Sequence, residues 1–165
     1  DAGYPNGFEV DFYVPTGLYI MDRPLGEAIQ AQLADVGIKA NIKAPEISAY
    51  LNMLMQGKAS LFIGGKGSPT GDMDFTQTLS NGSTGRMNHF NFKNAEVDKL
   101  IEAQREAVDP AQRRKLLHDL QHLIYREAPH ITLYYEDQIF ATRSKVHGVE
   151  VYVNEFISFD KAWKE

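Results

Sequence analysis

Between Phe8 and Lys43 the hydrophobic period changes twice, and that change restricts the fold more than any other feature of the chain. Phe8-Glu9-Val10-Asp11-Phe12-Tyr13-Val14 alternates apolar and acidic residues before tightening into an apolar run, the pattern of a half-buried strand. Pro15-Thr16-Gly17 closes it. Asp22 stands where an N-cap belongs, with Pro24 in the first turn; Leu25, Ala28, Ile29, Leu33 and Val36 follow at helical spacing, and Gly37 supplies a stop. Ile38, Ala40 and Ile42 then alternate with Lys39, Asn41 and Lys43. Strand, amphipathic helix and strand at this spacing make a βαβ unit with parallel strands, because the helix carries the chain back across the sheet. The fold class is α/β, a mixed but largely parallel sheet flanked by helices.

The alternation continues. Ile47, Tyr50, Leu51 and Leu54 mark a short helix closed by Gly57, and Ala59–Ile63 is a compact apolar strand. A polar, glycine-rich stretch runs from Gly64 to about Lys93, with a short helix expected around Phe75–Leu79. Two stronger helices follow. Asn94 caps the first, with Val97, Leu100, Ile101, Gln104 and Val108 on one face; Asp109-Pro110 starts the second, which carries Leu116, Leu117, Leu120, Leu123 and Ile124 and ends at Pro129. Ile131–Tyr135, Gln138–Thr142 and Val149–Val153 are expected strands.

Composition removes several functions. With 17 Lys and Arg against 22 Asp and Glu, the net charge of −5 lacks the basic footprint of a nucleic-acid or anionic-membrane binder. The absence of cysteine excludes disulfides, thiolate metal sites and cysteine nucleophiles. The chain opens on Asp1-Ala2-Gly3-Tyr4 with neither Met nor a basic leader, which reads as a mature or excised piece.

Few constellations suggest chemistry. His118-Asp119-Leu120-Gln121-His122 approaches the zinc-protease pattern, but Asp119 is one methylene shorter than the required Glu. Both histidines fall opposite the apolar stripe of their helix and are expected on the solvated surface. Gly64-Gly65-Lys66-Gly67-Ser68-Pro69-Thr70-Gly71 fails as a phosphate loop, since Lys66 is followed by Gly67 and Pro69 removes a backbone donor. Two uses remain for this segment. It offers flexible backbone close to a ligand, with Ser68, Thr70, Asp72 and Asp74 as polar contacts, or it is a plain strand-to-helix connection capped by Asp72 or Asp74. Tyr4, Phe8, Phe12 and Tyr13 are core candidates, and Tyr19, just past the first strand, could instead reach a ligand.

Several stretches together resemble one family. Ala2-Gly3-Tyr4-Pro5-Asn6-Gly7-Phe8 leading into a strand is similar to the opening of the second lobe of bacterial family 5 solute-binding proteins, the dipeptide, oligopeptide and nickel receptors of ABC importers. Ala28 through Lys39 resembles their helix-then-strand segment. Asn94 through Leu100, then Asp109, Arg113 and Arg114, then Gln121 through Pro129, resemble their two-helix signature running into a proline.

The resemblance implies a type II periplasmic-binding-protein lobe with no catalytic activity and no cofactor. It implies an extracytoplasmic protein that closes two lobes over a small peptide or similar solute and presents it to a membrane permease. Residues 1–132 would then form the ligand-binding lobe, and residues 133–165 the segment that in the family returns to the other, N-terminal lobe. Peptide receptors of the family often place Trp at the start of the ligand-facing loop and an Asp shortly after it; these places hold Gly65 and Ser68 here. An Arg common near Leu18-Tyr19 has its nearest counterpart in Arg23. These departures leave room for a different ligand, or for a longer peptide held mainly by backbone and water. The expected ligand contacts are Tyr19, Arg23, Lys66, Ser68, Thr70, Asp72 and Asp74, with Gly65 and Gly67 allowing close approach. The alternatives are a metal-dependent hydrolase built on His118 and His122, and an interaction module forming a homodimer through its C-terminal strands.

Overall fold

The computed structural model describes residues 3–137, 139–152, 154 and 156–165. Ala2 of the opening motif, Gln138 of the expected strand to Thr142, and Val153, the end of another, lie outside the described residues. The chain forms two compact units: residues up to Lys66 with Leu79–Ala95, and Gly67–Thr78 with Glu96–Glu165.

The first unit is built on the expected βαβ motif. β1 (Phe8–Tyr13), α1 (Asp22–Asp35), β2 (Ile38–Lys43), α2 (Ile47–Met55) and β3 (Leu61–Phe62) follow in order, and the sheet has strand order β2-β1-β3 with both pairings parallel. β1 is central, so its inward residues are covered from both sides. Phe12 lies opposite Ile42 and Leu61 and is 1% exposed. Phe12, Val14, Ala40 and Ile63 form a core over which α1 lays Leu25, Ile29 and Leu33. The outward face of β1 carries acids that meet β2 across the strands. Glu9 accepts from Lys39 Nζ at 3.2 Å and from Asn41 Nδ2 at 2.6 Å, and Asp11 lies 3.5 Å from Lys43 Nζ. These pairs suit the register of a half-wet parallel sheet and, being exposed, add little stability. Tyr4 and Phe8, expected in the core, stay exposed as a tilted pair with ring centroids 5.1 Å apart.

A second cluster lies under α2, where Tyr50, Leu54 and Ala59 pack with Tyr13, Leu18, Met53 and Phe62. Tyr50 is fully buried and donates its hydroxyl to the Ile63 carbonyl, which satisfies the one polar group in this cluster's interior side chains. Gly7 adopts φ +76°, and a Cβ there would land on the Gly37 carbonyl oxygen, so the approach to β1 needs glycine on both grounds.

α3 (Met73–Asn81) begins in the second unit and ends in the first. In the second unit, α4 (Ala95–Glu106) buries Val97, Ile101 and Gln104, and α5 (Pro110–Glu127) buries Leu120, Leu123 and Ile124, each a single stripe at helical spacing. Glu96 lies 3.8 Å from Arg126, and Gln104 Oε1 accepts from Arg113 at 3.1 Å; the two helices therefore run antiparallel. Asp109 caps α5 as expected, accepting from the Gln112 amide at 2.9 Å, with Pro110 in the first turn.

The C-terminal expectations need correction. Ile131–Tyr135 and the described part of Gln138–Thr142 form no strand. Strand patterning is realised only where a ladder partner is available, and these residues have none. Two short antiparallel ribbons follow: β4 (Val146–His147) pairs with β7 (Trp163–Lys164), and β5 (Glu150–Val151) with β6 (Ile157–Ser158). Among the described residues, no helix is long and apolar enough to cross a membrane.

Candidate functional site

In an open α/β sheet the loops leaving the carboxyl ends of parallel strands form the rim where ligands bind. In the first unit two such loops meet. The one after β1 carries Tyr19, and the one after β3 carries Gly64, Gly65 and Lys66.

Asp22 shapes the first loop, though not as the N-cap that its position suggests. Met21 takes the cap position in the left-handed region with φ 58°, and Asp22 begins α1. The Asp22 carboxylate turns back to accept from the amides of Gly17 at 2.7 Å and Leu18 at 3.2 Å, and from Arg23 at 2.7 Å. Burial pushes its pKa up, but the backbone donors outweigh burial and hold it below the usual carboxylate range. Arg23 is exposed and points along α1 to Glu27, 2.8 Å away.

Tyr19 is half-buried and its ring lies against the second loop at Gly65. A Cβ at Gly65 would fall 2.6 Å from the Tyr19 ring, so the ring lies beside the Gly65 Cα while the residue itself stays exposed. Lys66 follows, with its Nζ 4.8 Å from the centre of the Phe90 ring. The residue as a whole is exposed, yet desolvation of its ammonium lowers the pKa to about 8. His89 stands beside it, edge-on to Phe62 with ring centroids 6.4 Å apart; burial first, and the Lys66 charge second, lower its pKa. His89 and Phe90 are site residues that sequence reasoning missed. They lie in the polar Gly64–Lys93 stretch, whose composition suits a loop on a functional rim without singling them out, and only the return of Leu79–Ala95 to the first unit brings them beside Lys66.

The other expected contacts, Gly67, Ser68, Thr70, Asp72 and Asp74, belong to the second unit, where the polar side chains bond largely to one another and to α4 and α5. Ser68 Oγ lies 3.1 Å from Thr70 Oγ1 and donates to the Asp72 carbonyl at 2.8 Å. Asp72 accepts from the Asp74 amide at 2.8 Å, so it caps α3, the role weighed against ligand contact. Its two oxygens also receive Arg113 in a fork, at 2.9 and 2.7 Å. Asp74 takes Arg105 at 2.8 Å and also accepts from Thr78 and from Gln104 Nε2. The Arg113 hydrogen bond is the main cause of a lowered Asp72 pKa; for Asp74, burial raises the pKa and the Arg105, Thr78 and Gln104 contacts overcome it.

Both carboxylates thus titrate below their unfolded value of about 3.9. Their stabilising contribution is complete above that pH and is lost as pH falls through the folded values. Urea unfolding of Arg113→Met should therefore show a destabilised chain at pH 7 and a smaller difference from wild type at pH 3. An equal difference at both pH values would contradict the pairing.

His118 and His122 are exposed on α5, as expected, and Asp119 between them is held by Lys115 at 2.7 Å. Among the described residues no group of three or more potential ligands gathers around a metal-sized space.

The parallel sheet and its flanking helices have the fold of a type II periplasmic-binding-protein lobe. No family model matches the chain. Curated relatives do. Heme-binding protein A of Haemophilus influenzae is 29% identical over 136 residues, 79% of this chain and 25% of that protein. The glutathione-binding protein GsiB of Escherichia coli is 27% identical, across 98% of this chain and 33% of its own length. Among solved structures, the periplasmic binding protein DppA of Helicobacter pylori in complex with the peptide STSA is 29% identical over 78% of this chain and 25% of its own, with a TM-score of 0.68. The substrate-binding domain of a Bacillus anthracis oligopeptide ABC transporter shares the fold at TM-score 0.82 over 94% of this chain and 31% of its own, with 17% identity. The chain is similar to family 5 ABC solute-binding proteins, as its opening, first helix and paired helices implied. It spans a quarter to a third of the length of the proteins it matches. These relatives are binding proteins, and a hydrolase on His118 and His122 is not favoured.

Proposed function

We propose that the chain is a ligand-binding lobe of an extracytoplasmic solute-binding protein, without catalytic activity, serving an ABC importer. It captures a peptide or similar small solute against the first unit's rim, a second lobe closes over the ligand, and the closed protein presents it to a membrane permease. The observation that carries this reading is the match to a heme-binding and a glutathione-binding protein across 79 to 98% of the chain, together with the likeness to the ABC transporter-associated periplasmic binding protein DppA. The rim supports it: Tyr19 supplies an aromatic wall beside exposed Gly65 backbone, an arrangement that suits an extended solute held by stacking and main-chain hydrogen bonds.

Residues 133–165 are assigned to the other lobe. Among the described residues there, Tyr135 is 95% and Ile139 92% exposed, which supports a segment whose packing partner lies elsewhere. Titration with a pool of di- to pentapeptides tests the function. Saturable binding is expected, and its absence at millimolar peptide would contradict it.

A further inference from the structure

Lys66 gives this rim a positive charge in the loop after β3. Lys66 forms no ion pair among the described residues; its ammonium rests on the Phe90 face with His89 alongside. Asp22, the carboxylate that organises the neighbouring Tyr19 loop, already has its oxygens committed to the amides of Gly17, Leu18 and Arg23. The amides of Gly64, Gly65 and Lys66 donate to no protein acceptor among the described residues, and all three residues are exposed. An ammonium without a counter-charge and a run of free N–H donors, placed together at the carboxyl end of a parallel strand, are complementary to an anionic oxygen group. Aromatic rings on either side, Tyr19 against Gly65 and Phe90 under Lys66, lower the local polarity and strengthen a charge-assisted contact there.

We propose that Lys66, with the amides of Gly64–Lys66, is a carboxylate-binding subsite, so that the lobe selects solutes by an anionic group. This rests on the solute-binding reading above and names the chemical class of solute that it takes. The carboxylate could be the end of a peptide chain or an acidic side chain, and the test separates the two.

Three tripeptide pools are compared on the 165-residue chain, with half-saturation read from amide shifts. One pool has neutral side chains and free C-termini, one is the same pool amidated, and one is amidated with Glu at the centre. The expected result is roughly 10-fold weaker binding of the neutral amidated pool than of at least one carboxylate-bearing pool. Whichever pool binds tightly identifies the source of the carboxylate. In Lys66→Met the pools should bind alike, and Lys66→Arg should restore the difference; Lys66 is exposed, so both variants keep the fold. Equal binding of all pools to the wild type would overturn the subsite while leaving solute binding intact. Discrimination that survives in Lys66→Met would overturn it as well. No shift with any pool at millimolar concentration would overturn both readings.

Discussion

Replacing Phe12 with alanine should cost the chain about 3–5 kcal/mol, a large share of the 5–15 kcal/mol that a domain of ordinary stability has to lose. The reason is position. Phe12 sits in the central strand of a three-stranded sheet, faces Ile42 on one neighbour and Leu61 on the other, and is 1% exposed beneath the α1 side chains. Truncation removes the ring's transfer energy and leaves a cavity that the sheet and helix cannot both close. Urea unfolding should show the midpoint falling at constant slope. Tyr4→Ala, at a site 62% exposed, should change stability by less than about 0.5 kcal/mol. A loss below about 1 kcal/mol at Phe12 would mean that the core lies elsewhere.

A second large effect is expected in affinity. A ligand held by one lobe keeps part of its surface in water, and the rim's polar groups stay hydrated until something covers them. Grafting this chain into the Helicobacter pylori DppA framework, in place of the matching quarter, should tighten peptide binding at least 100-fold over the chain alone. That is about 2.7 kcal/mol, well within what closing a second surface over a small ligand supplies. The chain alone should bind with a Kd of roughly 10 μM or weaker. Sub-micromolar binding by the chain alone would contradict the half-site account.

The parts of the fold that were legible are those whose signal is local. The change of period between Phe8 and Lys43 specified β1, α1 and β2, and Asp109-Pro110 specified the start of α5, because alternation, helical spacing and a cap each act within a few residues. Asp22 was misread for the same reason. An acidic residue before a helix looks like a cap, but a left-handed Met21 moved that role one residue back and freed Asp22 to bind the preceding loop. Ile131–Tyr135 carries strand patterning without forming a strand, since a ladder depends on a partner that no local pattern reveals.

In the candidate site, Tyr19, Gly65 and Lys66 were readable as rim residues from their place just after strands. His89 and Phe90 were not, because the contact that matters joins two distant stretches of chain. Asp72 and Asp74 illustrate the opposite limit. Their composition suited a ligand or a cap equally, and only the placement of Arg113 and Arg105 across α4 and α5 shows what their carboxylates hold.

The most direct test of the account is to map where a peptide touches this chain, by following the backbone amides of the labelled protein through a titration with mixed di- to pentapeptides. The account predicts saturable shifts concentrated at Leu18–Tyr19, Gly64–Lys66 and His89–Phe90, with the exposed face of α5 around His118 and His122 unmoved. Shifts centred on that α5 face, or none anywhere at millimolar peptide, would contradict it.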